Sequence, residues 1–185
     1  MKVLLVSANP EPDNLRLAAE QREIISRTEL AERKLQKQLT GPAVPLHFIH
    51  SGAVRIQDLV SDLFLHKPQI LHFSGHGAQG GILLLETATG GRALIPPDQL
   101  VQICAEHRDS LRLVFLNACY SSDVANRLVG PLDAAIGMTE TVEDPVALEF
   151  AATFYSLLAL RVSVGRAFRT ARTTAGLVNP GKGSL

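Results

Sequence analysis

Cysteine is scarce in this chain: its 185 residues include two, Cys104 and Cys119. Two cysteines build no disulfide framework. The expected location is a reducing cytoplasm, where a lone thiol can stay reactive. Net charge is missing too. Lys plus Arg and Asp plus Glu number 18 each, so no global field points to nucleic acid or to an acidic membrane surface. No apolar run approaches the roughly 20 residues that a membrane helix needs. The start, Met1-Lys2-Val3-Leu4-Leu5-Val6, is too short for the apolar region of a signal peptide. No internal repeat, low-complexity segment or domain linker interrupts the chain. Cys, His and Asp do not recur at the usual zinc spacings, so neither a metal nor another cofactor is expected.

What is present is an ordinary globular composition, 46% hydrophobic and 19% charged. The length is that of one domain, expected over residues 1–175, with 176–185 as a flexible C-terminal tail. Val3-Leu4-Leu5-Val6 is a fully apolar run of strand length, closed by the turn cluster Ser7-Ala8-Asn9-Pro10. Leu17, Ile24, Ala31, Leu35 and Leu39 fall on one face of a helix over about 15–39, stopped by Thr40-Gly41-Pro42. A second strand follows over 44–50 and a helix over 54–66, ended before Pro68. Strands are expected over 69–74, 111–117 and 134–138. Between the first two lie a hairpin, 82–86 with 92–95, and a helix from Pro96-Pro97-Asp98 to about His107. Asp144-Pro145 opens a strong helix with Leu148, Ala151, Ala152, Tyr155 and Leu158 on its inner stripe, and a last helix covers about 163–174. This alternation implies an α/β fold with a mostly parallel sheet flanked by helices.

Two of the apolar runs stop at a reactive side chain. Ile70-Leu71-His72-Phe73-Ser74-Gly75 leads to His76, and Leu113-Val114-Phe115-Leu116-Asn117-Ala118 leads to Cys119. Parallel strands deliver their C-terminal ends to one sheet edge, where ligands bind. An imidazole and a thiol meeting there form a nucleophile with a general base. His76 lies between two glycines, which keeps its ring accessible, whereas His72 lies inside the apolar run as a hydrogen-bonded core histidine. Polar residues follow Cys119, and a helix starting there turns its positive end toward the sulfur. Cys104 sits mid-helix between Ile103 and Ala105 and is assigned to packing. Gly75, Gly77 and Gly80 also spell G-x-G-x-x-G, the mark of a small nucleotide-binding domain if a helix follows. A hairpin is expected there instead. The glycines then serve close backbone approach, with the Gly77 N–H as an oxyanion donor.

The pairing of His-Phe-Ser-Gly-His-Gly (72–77) with Leu-Asn-Ala-Cys-Tyr-Ser (116–121) resembles the CHAT domain family, caspase-like cysteine peptidases of clan CD. The opening residues 4–10, 15–17 and Glu20 resemble the start of short bacterial members, and 135–138 with 143–150 and 154–155 resembles the family's last strand and the helix after it. The resemblance implies a caspase-like three-layer sandwich with a β-hairpin after the catalytic histidine. It implies His76 as general base and acid, Cys119 as nucleophile, and the backbone N–H groups of Gly77 and Cys119 as oxyanion hole. Asp144 matches the acidic residue that recognises P1 Arg or Lys in separase-like members, with Glu143 and Glu140 near it. Asp144 reads equally as the cap of the helix that Pro145 begins. The implied activity is cleavage of a partner protein after a basic residue, in regulated proteolysis or defence. A regulatory partner or self-association would control it, with no nucleic acid and no membrane involved. A catalytically silent interaction module of the same family is the alternative. The family's glycine between its last two helices is absent here, replaced by Leu158-Ala159-Leu160-Arg161-Val162.

Overall fold

The computed structural model describes residues 1–10, 15–39 and 44–178. Eight strands and six helices follow one another in these residues. In chain order they are β1 (Lys2–Ala8), α1 (Leu17–Gln36), β2 (His47–Ser51), α2 (Ile56–His66), β3 (Ile70–Gly75), β4 (Gly77–Ala78) and β5 (Ile82–Glu86). Then come β6 (Arg92–Ile95), α3 (Pro97–Glu106), β7 (Leu113–Asn117), α4 (Ser122–Leu128), β8 (Ala134–Ile136), α5 (Asp144–Ala159) and α6 (Val164–Val178). They fall into two compact units. One contains Lys2–Leu15 and His47–Thr141; the other contains α1, α5 and α6. Among the described residues, no helix is long and apolar enough to cross a membrane.

The first unit is built on a five-stranded sheet of order β2-β1-β3-β7-β8, parallel throughout. Its central strands are apolar on both faces because both faces are buried. Leu4, Val6, Leu71, Phe73, Val114 and Leu116 pack with Leu59 and Leu63 of α2, Leu100 of α3 and Leu83 and Leu85 of β5. The alternate residues Val3, Leu5, Ile70, Leu113 and Phe115 are buried as well. A sheet covered on one side would have alternated apolar with polar. His72 belongs to this second set. Its Nε2 lies 2.7 Å from Ser74 Oγ and its ring leans on Phe115, so it is the core histidine expected.

Register decides what reaches the sheet edge. Ala8 of β1 lies opposite Gly75 of β3, and Ser74 lies opposite Asn117 of β7. Asn9, His76 and the Ala118–Cys119 turn therefore leave the sheet side by side. Immediately past His76 the chain enters a separate antiparallel sheet, β4-β5-β6. Gly80 and Gly81 make its first turn with φ of +82° and +77°, a conformation that glycine adopts without a Cβ clash. The glycine motif is thus a hairpin turn followed by a strand. The helix N-terminus that a dinucleotide site requires does not follow it.

In the helical unit, α1 buries Ile24 and Ala31 as expected, but the positions between and before them are Glu20 and Thr28. Leu39 lies beyond the helix, which ends at Gln36. The expected Thr40-Gly41-Pro42 stop lies outside the described residues. Arg27 of α1 grips Glu149 of α5 with two 2.7 Å hydrogen bonds, while its Nε bonds Glu23 at 2.6 Å. On α5, Ala151, Ala152 and Tyr155 are buried as expected, joined by Phe150 and Phe154. Helix α6 packs through Ala167, Ala171 and Ala175, one every four residues, and Phe168 meets Phe150 edge-on. It runs to Val178, so Gly176 belongs to a helix and not to a tail; the rest of the expected tail, 179–185, lies outside the described residues. At the turn between α5 and α6, Arg161 takes the left-handed conformation, with φ of +63°. The same device ends α2, where Lys67 caps the helix with φ of +46° just before Pro68.

Two outcomes test this packing. The Glu149 carboxyl is held below its ordinary range, first by its hydrogen bonds from Arg27. The stabilisation is therefore complete above the ordinary carboxylate pKa and is lost as pH falls through the lowered one. Urea unfolding of Glu149→Gln should show a loss of about 1–2 kcal/mol near neutrality, discounted for the partial exposure of Arg27. That loss should shrink as pH falls below the ordinary carboxylate range; a loss independent of pH would rule out the ion pair as its source. The Thr28 hydroxyl is buried and has no hydrogen-bond partner among the described residues. Thr28→Val should therefore raise the unfolding free energy by about 1 kcal/mol, and a destabilised variant would contradict this.

Candidate active site

The two reactive motifs touch through backbone. A Cβ added to Gly77 would overlap the Cys119 carbonyl oxygen and lie 3.2 Å from the Ala118 Cβ. The peptide that follows His76 therefore rests directly on the peptide of Cys119, and glycine is the residue that lets it. Gly75, on the other side of His76, is equally confined: its Cβ would meet Ala8 O at 2.7 Å. The histidine is held between two close backbone approaches, one to each neighbouring strand end.

His76 is half-buried, and its Nε2 lies 2.9 Å from Asn9 Oδ1. The backbone N–H of Asn9 donates to Glu86 Oε1 at 3.1 Å, and the N–H of Glu86 donates to Val54 O at 3.0 Å. A three-residue chain thus runs from the end of β5 through the end of β1 to the imidazole. Neither Asn9 nor Glu86 stood out in the sequence. Asn9 read as part of a turn with Pro10, and Glu86 as the last residue of a hairpin strand.

Cys119 is half-buried and free, on a sharp turn. The next residue, Tyr120, has φ of +57°, an uncommon value for a residue with a side chain. Ser121 holds this turn in place and is fully buried. Its hydroxyl donates toward Ala118 O at 2.7 Å, with Leu116 O at 3.1 Å, and accepts from the Met138 N–H at 3.0 Å. The Ser122 N–H donates to Met138 O at 2.9 Å, and Thr141 Oγ1 donates to the Tyr120 hydroxyl at 3.2 Å. Residues 138–141, beyond β8, are laced to the cysteine turn at three points. Ser121 read in sequence as one of several polar loop residues; its burial was not visible there. Helix α4 starts at Ser122, as expected, but it has only seven residues and its Ser121 cap spends its hydroxyl on the turn.

Cys104 behaves differently. It is fully buried in α3, and burial pushes its thiol up to about 12. It fills space, as expected. The three acidic candidates for a P1 site separate. Glu140 is exposed on the loop laced to the cysteine turn, in the same unit as His76 and Cys119. Glu143 and Asp144 belong to the helical unit. There Glu143, not Asp144, is the N-cap of α5; Asp144 is its first residue and Pro145 its second. The Asp144 carboxylate accepts the backbone N–H of Arg16 at 3.3 Å. Among the described residues, no three His, Cys, Asp or Glu side chains converge as metal ligands.

A parallel α/β sheet that ends in a histidine and a cysteine on neighbouring strands, with a hairpin between them, is the architecture of the caspase-like domains. The family model of the CHAT domain matches residues 1–177, nearly the whole chain, and the protein belongs to that family. No curated protein matches the chain.

The contrast between the two thiols is directly testable. Brief iodoacetamide treatment of the native protein near neutrality should alkylate Cys119 and spare Cys104, with both reacting in denaturant. Peptide mapping reads the result; comparable labelling of both cysteines in the native state would contradict the packing described.

Proposed function

We propose that this domain is a cysteine endopeptidase with His76 and Cys119 as its catalytic dyad. The observation that carries the reading is the seating of Gly77 on the Cys119 peptide, which joins the histidine and cysteine motifs at one sheet edge. His76 takes the Cys119 thiol proton as the sulfur attacks the carbonyl carbon of a substrate peptide bond. The carbonyl oxygen becomes an oxyanion, which the N–H groups of Gly77 and Cys119 stabilise. The C–N bond then breaks, His76 gives its proton to the leaving amine, and a thioester remains on Cys119. Water attacks the thioester, losing a proton to His76. The new carboxylic acid leaves, and the proton returns to the sulfur.

Family membership supports the peptidase class, and the residues after β8 support a preference at P1. Of the acidic residues there, Glu140 is the one whose loop is hydrogen-bonded to the nucleophile turn. Its carboxylate is our choice for recognising a P1 Arg or Lys. Asp144 already serves the Arg16 amide at the start of α5. The substrate is a protein or peptide, and control by a partner protein or by self-association fits the family. A silent interaction module would instead leave the thiol without substrate-dependent chemistry. The strand that follows the glycine turn weighs against nucleotide binding.

A peptidyl acyloxymethyl ketone with Arg at P1 separates these readings even if turnover needs a partner. It should modify Cys119 in the native protein, and His76→Ala should slow the reaction at least about a hundredfold with the fold intact. Glu140→Gln should slow the Arg probe about tenfold or more relative to a neutral-P1 probe. Absence of probe reaction with Cys119 would sink the enzyme reading. An unchanged Arg preference in Glu140→Gln would remove Glu140 from the P1 site.

A further inference from the structure

We infer that Asn9 is the positioning residue of His76, and that Glu86 holds Asn9 in place for that task; the catalytic part of the inference rests on the peptidase reading above. The argument begins with chemistry at one atom. Asn9 turns its side-chain carbonyl oxygen to His76 Nε2 at 2.9 Å. A carbonyl oxygen only accepts hydrogen bonds, so the proton of this bond sits on Nε2. In the neutral ring the lone pair is then on Nδ1, which is the nitrogen able to take a proton from a thiol. Asn9 thereby fixes which nitrogen acts as base and the plane in which the ring lies. When the ring gains its second proton, the Nε2–H···Oδ1 bond becomes charge-assisted and shortens the excursion to the imidazolium.

Three features make Asn9 suited to hold rather than merely to touch. The β1/β3 register sets Ala8 beside Gly75, so the next residues along, Asn9 and His76, are neighbours by strand pairing. Pro10 follows Asn9 and confines it to extended backbone, which removes the freedom a turn residue usually has. The Asn9 N–H is bound by Glu86 Oε1 at 3.1 Å, and Glu86 is itself fixed by β5 pairing and by its bond to Val54 O. Among the described residues, the Asn9 side chain is bonded to His76.

The test separates this role from a structural one and from the peptidase reading itself. Ring NMR of His76 should show an Nε2-bound proton protected from solvent exchange in the native protein. Asn9→Ala should abolish that protection while the amide spectrum elsewhere is retained. Asn9→Asp should keep it, because a carboxylate oxygen accepts the same hydrogen bond. Cys119 and Glu86, the titratable groups on the adjoining strand ends, are unchanged in both variants. Where turnover is measured, Asn9→Ala should lower kcat about tenfold to a hundredfold with KM changed less than about threefold. Glu86→Ala should reproduce a smaller part of the loss and Glu86→Gln should restore it. An unprotected ring proton in the native protein, or ring protection and kcat unchanged in Asn9→Ala, would overturn the positioning role. If the ring signals respond as stated and Cys119 does not react with the Arg probe, the positioning role stands and the peptidase reading falls.

Discussion

The rest of the structure depends on one close approach of backbone to backbone, Gly77 upon Cys119. Two peptide groups cannot meet this closely if a Cβ stands between them, and the first residue of β4 has none. The approach forces the chain after His76 to run toward the end of β7 before it folds back as the hairpin. It also fixes the position of Cys119 relative to His76 without any side-chain contact. Parallel pairing supplies the other half of the constraint: β1, β3 and β7 end in register, so whatever follows each strand is already near the others. A side-chain hydrogen bond would give such placement only while it lasted, whereas this one holds as long as the sheet holds.

One strained residue stands where this placement must be converted into presentation of a thiol. Tyr120 adopts a left-handed conformation that costs a residue with a side chain on the order of 1 kcal/mol. The fully buried Ser121 offsets it by satisfying carbonyls at the end of β7 and the N–H of Met138. One hydroxyl thus locks both the cysteine turn and the start of the 138–141 loop. The same economy appears at Arg161, which occupies a left-handed turn position with φ of +63°. Its cost is spread over a turn closed by backbone bonds from Arg161 and Val162 to the end of α5.

The fold was legible in the sequence wherever burial is two-sided. Val3–Val6, Ile70–Phe73 and Leu113–Leu116 are apolar without alternation, and each is a central strand of the parallel sheet. His76 and Cys119 were legible because glycines and a polar turn mark the strand ends they follow. The supports of the site were not legible, for a physical reason common to all of them. Asn9, Glu86 and Ser121 act through single atoms that meet across long sequence separations, 67 residues between Asn9 and His76 and 17 between Ser121 and Met138. Turn residues and hydroxyls suit many local roles, so their types carried no signal of these partners. The polar residues on the buried face of α1 were hidden for the opposite reason: the face reads as an apolar stripe, and Glu20 and Thr28 interrupt it. The one-residue shift at α5 came from Pro145, which is acceptable at either the first or the second helical position.

The two halves of the dyad are held by different means, and this bears on how the site could be controlled. His76 is fixed from the sheet side: β3 carries it, Asn9 at the end of β1 orients it, and Glu86 at the end of β5 secures Asn9. Each of those is a strand terminus of the first unit's core. Cys119 is fixed from the loop side, by a serine, a strained tyrosine and the 138–141 segment. A substrate or partner bound to that segment would act on Tyr120 and Ser121 directly. In the proposed dyad the base is thus supported by strand ends and the nucleophile by a loop. If Glu140 recognises P1 as proposed, P1 recognition and alignment of the nucleophile pass through the same hydrogen bonds, those that tie Met138 and Thr141 to the cysteine turn.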